Sequence, residues 1–273
     1  MFRPERSKST IVSAFTLAEL IFHSTVRSIR KTHGHAVIGL LINMMQTAML
    51  VVTFYVMFDV LGLRGSSVRG DFLLYLMSGI FMFMTHTKSM GAVFGSEGPT
   101  SAMMKHAPMT TAISIGSAAL GALYIQLLSI AVVLFIYHAA INPIQIYNPV
   151  GALGMILLAW FTGVALGMVF LAAKPWAPGF VGIVQTVYSR VNMIASGKMF
   201  LANTLPKSML VLFDWNPLFH VIDQARGYTF INYNPHFSSV SYPVYVGLAL
   251  LMIGLMGEFY TRQHASISWG AKG

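Results

Sequence analysis

Long apolar segments alternate with short polar stretches along most of this chain. Six of the segments approach the roughly 20 residues that a helix needs to cross about 30 Å of hydrocarbon. They cover residues 36–61, 72–94, 112–137, 150–171, 178–200 and 242–261. The second is the least apolar, because Thr85, His86 and Lys88 fall in its last third. The pattern predicts an all-α integral membrane protein with six transmembrane helices.

The N-terminal part has a helical periodicity of another kind. Over residues 10–30, apolar and polar side chains fall on opposite helical faces. The apolar face is formed by Ile11, Phe15, Ala18, Phe22 and Val26, and the polar face by Thr16, Glu19, His23, Arg27 and Arg30. A helix with this division lies in the membrane interface. A signal peptide is the alternative, but Glu19 interrupts its apolar core and no small-x-small cleavage site follows.

The stretch 197–241 contains an apolar piece that is too short to span a membrane. Residues 209–213 follow a Leu-Pro pair, and the sequence from Asp214 to Pro217 ends the piece abruptly. We expect a short re-entrant hairpin on the outer side, before the last span, where protein or water covers its backbone. An ordinary amphipathic surface loop is the alternative. Within this stretch His220 and Asp223 are spaced for a local i, i+3 pair.

Composition supports a single membrane domain. Hydrophobic residues make up 56% of the 273, charged residues only 9%, and the mean hydropathy is +0.68. Soluble domains average about 45–50% apolar and about 25% charged residues. We therefore assign residues 1–273 to one transmembrane domain. It comprises a cytoplasmic tail with the interfacial helix (1–35), a six-span bundle (36–261) and a second cytoplasmic tail (262–273).

The net charge of +9 is explained by topology rather than by nucleic acid. Most of the 17 Lys and Arg residues fall on one side of the predicted membrane, with a cluster before the first span at Arg3, Arg6, Lys8, Arg27, Arg30 and Lys31. The positive-inside rule places that side, and with it both termini, in the cytoplasm. No stretch alternates basic and aromatic residues, so we expect no nucleic-acid partner.

Catalytic and metal-binding patterns are weak. The chain has no cysteine, which excludes disulfides, zinc–thiolate sites and a cysteine nucleophile. His33 and His35 have no carboxylate or thiol at ligand spacing, so we expect them to contact lipid headgroups. The phosphate-loop pattern GxxxxGK[ST] is absent as well. We therefore expect a protein that is not an enzyme and binds no cofactor or metal itself.

A polar stripe runs along the fifth span. Gln185, Ser189, Asn192 and Ser196 recur at i, i+4, i+7 and i+11, with Arg190 beside them. At about 3.6 residues per turn the four share one helical face. Unpaired polar groups in hydrocarbon cost several kcal/mol each, so this face must look onto other helices or a water-filled path. A conduit is the first hypothesis, and a plain membrane anchor is the weaker one.

Small residues recur within several spans. They are Gly163 and Gly167, Ser117 and Gly121, and Gly247, Gly254 and Gly257. Such spacings permit close helix contact, either within one subunit or between two.

The loop after the second span predicts a short helix at the cytoplasmic surface. Pro99 suits a first helical turn with Ser96 and Glu97 upstream, and Pro108 suits a stop. A helix this short is marginal alone in water, so we expect it to dock onto a protein partner.

Taken in order, these features resemble the permease subunit of ABC exporters of the polysaccharide type, which export capsule, O-antigen and teichoic acid chains. The shared features are the basic N-terminus, the interfacial helix, the six spans and the proline-bounded loop. The late segment Asn216-Pro217-Leu218-Phe219-His220, followed by residues 221–226, is similar to the family's Asn-Pro-Leu-x-His segment before the final span.

The resemblance implies an inner-membrane subunit that exports a polysaccharide, in particular a capsular one, or a lipid-linked glycan. It implies a second copy of the chain and two ATP-binding subunits that hold ATP and Mg, with periplasmic and outer-membrane export proteins and membrane lipid as further partners. Residues 10–30 look like the family's gating helix. Glu97, Gly98, Pro99, Thr100 and Lys105 look like part of its coupling helix, which docks onto the ATP-binding subunit.

A path for a sugar chain needs hydrogen-bonding groups and flat aromatic faces. Gln185, Ser189 and Asn192 would supply the first, and Tyr188 and Trp176 the second. Arg190 would attract an anionic group of the substrate, and Asn43 and Gln46 of the first span would complete the lining.

Other interpretations remain open for these residues. Trp176 suits an interfacial aromatic belt equally well, and Arg190 suits a structural ion pair or snorkelling. For the whole chain the alternatives are an exporter of drugs or lipids and, from another class, a membrane-embedded enzyme.

Overall fold

The structure is a computed structural model that describes residues 16, 18–26, 36–62, 71–98 and 110–264, and most of these residues are helical. The helices are α1 (18–26), α2 (Ala36–Val60), α3 (Phe72–Phe94), α4 (Thr111–Ala140), α5 (Pro149–Ala173), α6 (Pro178–Ala195), α7 (Lys207–Phe213), α8 (Pro217–Thr229) and α9 (Ser241–His264). The described residues contain no strand. The prediction of an all-α protein is confirmed.

Side chains in the sequence fix where several helices begin. Asp71 accepts a hydrogen bond from the second residue of α3, and Thr110 accepts one from the third residue of α4. Asn148 and Asn216 do the same for α5 and α8, each followed by a proline at the first helical position. These caps satisfy backbone N–H groups that have no partner within the helix, so the helix starts are encoded locally.

Four helices are long and apolar enough to cross a membrane, namely α2, α4, α5 and α9. The chain is therefore a membrane-embedded helical protein. Helices α3 and α6 occupy the other two predicted spans but are not among these four. Helix α6 also ends at Ala195 rather than at the predicted residue 200. It stops there because Gly197 has φ +74°, the left-handed conformation that ends helices.

Glycines set the closest helix contacts within the chain. A Cβ at Gly163 of α5 would lie 2.3 Å from the carbonyl oxygen of His86, so α3 and α5 touch backbone to backbone. A Cβ at Gly254 of α9 would lie 2.8 Å from Met168 of α5. Gly167 likewise faces α3. These small residues therefore pack α3, α5 and α9 against one another inside one subunit.

Helix α3 is the centre of the bundle. Almost all of its side chains from Leu74 to Met90 are buried, and α2, α4, α5 and α8 surround it. Helices α2 and α9 instead expose apolar side chains, such as Met49 at 65% and Met256 at 69%. Exposed apolar faces on long helices are what a lipid environment accommodates.

One end of the bundle, here called the distal end, is formed where α3 begins, α4 ends and α5 begins. There the Tyr137 hydroxyl donates to the Asp71 carboxylate, and the 147–148 segment lies against the end of α8. The opposite end, at Phe94 and Ala173, is called the proximal end.

Residues 197–241 contain two short helices, α7 and α8. Helix α8 packs against α3 and α5, and its side chains from Leu218 to Asp223 are buried. Helix α7, which contains the short apolar piece, has no buried residue, so the re-entrant hairpin and the surface loop both stay predictions.

Helix α1 was expected to be amphipathic. Its described part lies near α4, because a Cβ at Gly116 would be 3.4 Å from Ile21. Phe22 of the predicted apolar face is 64% exposed, as is the polar face at Glu19 and His23. An apolar side chain on an exposed helix face is consistent with the predicted contact with lipid.

Candidate functional site

The polar stripe of α6 turns toward the rest of the chain. Gln185 and Ser189 are half-buried, whereas Asn192 and Ser196 are buried at 2% and 0% exposure. The outward face of α6 is apolar, as shown by Ile183 at 64% exposure. The exposure of the stripe thus falls along α6, from half-buried side chains in its middle to fully buried ones at its end.

Tyr188 joins three helices through a buried histidine. Its hydroxyl lies 3.0 Å from Nε2 of His86 on α3, and Nδ1 of His86 lies 3.0 Å from Oγ1 of Thr162 on α5. The Thr162 hydroxyl donates to backbone carbonyls of its own helix, so its oxygen accepts from His86 Nδ1–H. Nε2 of His86 then accepts from Tyr188. The polar interruption of the second predicted span was the only sequence signal for this chain of bonds.

Asn192 holds the end of α6 against the start of α8. Its Oδ1 accepts a 2.7 Å hydrogen bond from Nδ2 of Asn216, and its own Nδ2 donates to the Tyr188 carbonyl. Asn216 donates a second bond to the carbonyl of Ala195. With 2% of its surface exposed, Asn192 contacts protein in this conformation.

The side chains of Gln185 and Arg190 on α6 have no protein partner among the described residues. The Gln185 side-chain amide, half-buried, makes no hydrogen bond to them, and Ser189 bonds only to the carbonyl of its own helix at Gln185. Arg190 is exposed and makes no hydrogen bond or ion pair with a described residue. These groups need water, a second protein surface or a substrate.

The predicted path residues of the first span lie elsewhere. Asn43 is buried and donates to Oε1 of Gln126 at 3.1 Å and to Oγ of Ser129 at 2.8 Å, which binds α2 to α4. Gln46 is exposed and accepts a hydrogen bond from Lys88 of α3. The structure does not bring either residue together with the stripe on α6.

Trp176 lies at the proximal end, between α5 and α6. Its Nε1 donates a 2.9 Å hydrogen bond to Oγ1 of Thr261, and its ring stacks on Tyr260, with 5.8 Å between the centroids. Both partners are on α9. The ring is 46% exposed, which suits the alternative of an interfacial aromatic.

The predicted coupling segment is described only at its start. The backbone N–H of Glu97 donates to Oγ of Ser114 on α4, and a Cβ at Gly98 would lie 3.3 Å from Leu171 of α5. The segment therefore begins where α3, α4 and α5 meet at the proximal end. Pro99, Thr100 and Lys105 lie outside the described residues.

A buried arginine at the end of α8 was missed by the sequence reasoning. Arg226, 1% exposed, donates to the carbonyls of Gly197 at 2.9 Å, Phe200 at 2.6 Å and Lys198 at 2.5 Å. Its guanidinium also lies 4.3 Å from the centroid of the Tyr75 ring. The planar guanidinium of arginine can donate to several carbonyls at once, so Arg226 fixes the 197–200 segment that follows α6 by hydrogen bonds.

Lys198, in the segment that Arg226 fixes, is also buried. Lys198 is 1% exposed, and its Nζ lies 3.8 Å from the centroid of the Phe83 ring and 4.8 Å from that of Phe54. Nζ has no hydrogen-bond partner among the described residues. The two rings stabilise the ammonium by cation–π contact and tie the segment to α2 and α3.

Asp223 anchors the segment that precedes α9. Its carboxylate accepts hydrogen bonds from the Tyr233 hydroxyl and from Oγ of Ser238. Burial, followed by the charge of Asp223, raises the pKa of Tyr233 above its usual value, so the phenol remains a donor. His220 contacts Asp214 rather than Asp223, so the expected His220–Asp223 pair is wrong.

The spacing of His220, Asp223 and Arg226 at i, i+3 and i+6 placed all three on one helical face. That spacing was the signal for a buried polar face. Among the described residues no group of three or more His, Asp or Glu side chains is arranged to hold a metal ion.

Neither a protein-family model nor a curated protein matches this chain.

Proposed function

We propose that this chain is the membrane-spanning subunit of an ATP-driven exporter of the ABC type. Its substrate would be a polysaccharide, in particular a capsular one, or a lipid-linked glycan that crosses the cytoplasmic membrane. The chain would not hydrolyse ATP itself. Two ATP-binding subunits would bind ATP and Mg and would drive a homodimer of this chain.

The observation that carries the proposal is the partly open middle of α6. Gln185 is half-buried with no hydrogen bond from its amide to a described residue, and Arg190 is exposed on the same helix. Helix α6 has few contacts with the rest of the bundle, chiefly with α5 and α3. In lipid such groups would be costly, so α6 needs a second polar surface. A second copy of the chain with an aqueous route between the copies would supply one.

Helix directions support six spans. Along α5 and α3, Gly163 faces His86 and Gly167 faces Met90. Along α9 and α5, Gly247 faces Phe161 and Gly254 faces Met168. Helices α3, α5 and α9 are therefore parallel, and α2, α4 and α6 run in the opposite direction. Helix α3 has 23 residues and runs beside the 25-residue α5. Under the proposal α3 and α6 also cross the bilayer, shielded by their neighbours. The proximal end then faces the cytoplasm, and α7 and α8 lie near the outer surface.

Coupling to ATP would occur at the proximal end. The segment that starts at Glu97 begins where α3, α4 and α5 meet. A displacement of this segment by the ATP-binding subunit would therefore move all three helices. Packed helices transmit such displacements because their contacts are close and stiff. The 97–105 segment would be the docking site for the ATP-binding subunit.

The test is co-purification followed by localisation of the glycan. We expect the tagged chain, extracted from its native membrane, to retain an ATP-binding subunit in about equal amount. In cells that lack the chain, we expect the glycan that is normally displayed at the surface to accumulate in the cytoplasm. Expression of the wild-type chain should restore its export. Absence of an ATPase partner would overturn the proposal. A partner with unchanged glycan would favour the drug or lipid exporter instead.

A further inference from the structure

A cavity of about 380 Å³ opens at the distal end, apart from the polar stripe of α6. It lies between the 147–148 segment, the end of α8 and the chain that follows α8. Its lining is dominated by tyrosines and amides: Tyr147, Asn148, Gln224, Tyr228, Tyr233 and Asn234. Its size falls within the range of small-molecule sites, about 300–1,000 Å³.

Backbone hydrogen bonds hold the two walls together. The N–H of Tyr147 donates to the carbonyl of Thr229 at 3.1 Å, and the N–H of Asn148 donates to that of Tyr228 at 2.8 Å. These carbonyls are in the last turn of α8 and have no partner within the helix. Because both hydrogen bonds join backbone atoms, they fix residues 147–148 against the end of α8 independently of the conformation of the Tyr147 side chain.

Two glycines shape the interior. A Cβ at Gly151 would lie 2.4 Å from the Tyr228 ring, and a Cβ at Gly227 would lie 2.7 Å from Pro235. Any larger residue would displace Tyr228 or the 233–235 segment from its place. The shape of the cavity thus depends on the absence of side chains at these two positions.

Neighbouring groups also fix the polar side chains of the lining. Nε2 of Gln224 donates to the carbonyl and hydroxyl of Ser238, which leaves its Oε1 as an acceptor. Oδ1 of Asn148 accepts from the N–H of Gly151, which leaves its Nδ2 as a donor. Tyr233 is held by its hydrogen bond to Asp223. The lining therefore offers fixed donors and acceptors beside aromatic rings.

We propose that this cavity binds one neutral sugar unit, a hexopyranose or an N-acetylhexosamine. Aromatic faces pack against the C–H face of a pyranose ring, and amides pair with its hydroxyls. None of the described residues that line the cavity is charged, which disfavours a uronate or a phosphate. Tyr147 is 62% exposed, so a sugar unit within a longer chain can enter from the open side. The inference rests on the proposed function only for the source of the sugar.

Saturation-transfer NMR on the full chain tests the binding directly. The protein is reconstituted in phosphatidylcholine nanodiscs, because detergents with sugar headgroups would compete for the site. We expect transfer to the methyl glycosides of glucose, galactose and N-acetylglucosamine, and none to glucuronate or methyl phosphate. No transfer to any neutral sugar, or equal transfer to the charged probes, would overturn the proposal.

Variants locate the binding in the cavity. Stacking contacts are worth about 0.5–1.5 kcal/mol, so Tyr147→Ala should weaken sugar affinity about two- to tenfold, and Tyr147→Phe should weaken it less. The matched control is Tyr245→Ala, a tyrosine on α9 that is 70% exposed and outside the cavity. It should leave affinity unchanged. Unchanged binding in Tyr147→Ala, or an equal loss in Tyr245→Ala, would contradict the assignment.

The outcome is separable from that of the proposed function. The binding measurement needs neither ATP nor a partner subunit. Sugar binding without an ATPase partner would defeat the export proposal and leave the cavity assignment standing. ATP-driven glycan export without binding of any neutral sugar would defeat the cavity assignment alone.

Discussion

Arg226 donates a 2.5 Å hydrogen bond to the backbone carbonyl of Lys198, 28 residues earlier in the chain. Lys198 in turn places its ammonium 3.8 Å from the centre of the Phe83 ring. Two buried cations thus hold the segment after α6 against α3 and α8. The position of α6, and with it the polar stripe, depends on this arrangement.

Replacing Arg226 tests its hydrogen bonds to the three carbonyls of the 197–200 segment. Arg226→Lys keeps the charge but loses the fork that reaches three carbonyls, so the free energy of unfolding should fall by about 3 kcal/mol or more. Titration with sodium dodecyl sulfate, followed by circular dichroism, measures it. Arg262→Ala, at an exposed arginine of α9, is the control and should have little effect. Wild-type stability of Arg226→Lys would show that the carbonyl contacts are dispensable.

Gly79 and Gly91 form a matched pair on α3. A Cβ at Gly79 would lie 2.9 Å from the Lys198 carbonyl and 3.0 Å from the Arg226 guanidinium, whereas one at Gly91 meets no described atom within 4 Å. Alanine favours helix over glycine by about 1 kcal/mol. Gly91→Ala should therefore be neutral or stabilising, and Gly79→Ala should destabilise by about 1–3 kcal/mol through overpacking. Equal apparent Tm values for the two variants would contradict the close approach.

Lys198 is a buried charge without a hydrogen-bond partner among the described residues. Lys198→Met keeps an unbranched side chain, one atom shorter, beside the rings but removes the desolvated charge. We expect this variant to be as stable as the wild type or more stable by about 1–2 kcal/mol. Lys198→Gln, which keeps a polar group without a partner, should be less stable than Lys198→Met. The reverse order in denaturant titrations would show that the ammonium contributes net stability.

Tyr188 and His86 should be energetically coupled. Tyr188→Phe leaves Nε2 of His86 buried without its partner, which should cost about 1–3 kcal/mol. In a double-mutant cycle with His86→Leu, the coupling energy should reach about 1 kcal/mol. Tyr245→Phe, at an exposed tyrosine, is the control and should show no coupling to His86→Leu. Additive effects of Tyr188→Phe and His86→Leu would rule out the interaction.

Arg190 is the test residue for the path. Because its side chain is exposed and unpaired among the described residues, Arg190→Ala should leave stability and membrane insertion unchanged. Under the proposed function it should lower glycan export severalfold, while the ATP-binding partner still co-purifies. Export is measured as surface glycan per cell, with Arg262→Ala as the control. Normal export by Arg190→Ala would remove Arg190 from the path.

Hydrophobic periodicity predicted the six long helices close to their observed ranges, because the burial of apolar residues and the capping of helix ends are local properties. It missed the end of α6, where the backbone at Gly197 stops the helix before the apolar composition does. The periodicity also predicted that the polar stripe shares a face. It could not predict that Asn192 contacts Asn216, since nothing in the sequence around either residue indicates the other.

The sequence by itself determined that this is a helical membrane protein, where its six long helices lie and that α6 has a polar face. The tertiary structure alone decided which polar groups find partners. Gly79, Lys198 and Arg226 are far apart in the chain and meet only because α8 packs against α3. The distal cavity likewise needs α5 and α8 side by side. Such contacts depend on how helices dock, which side-chain spacing along one helix does not encode.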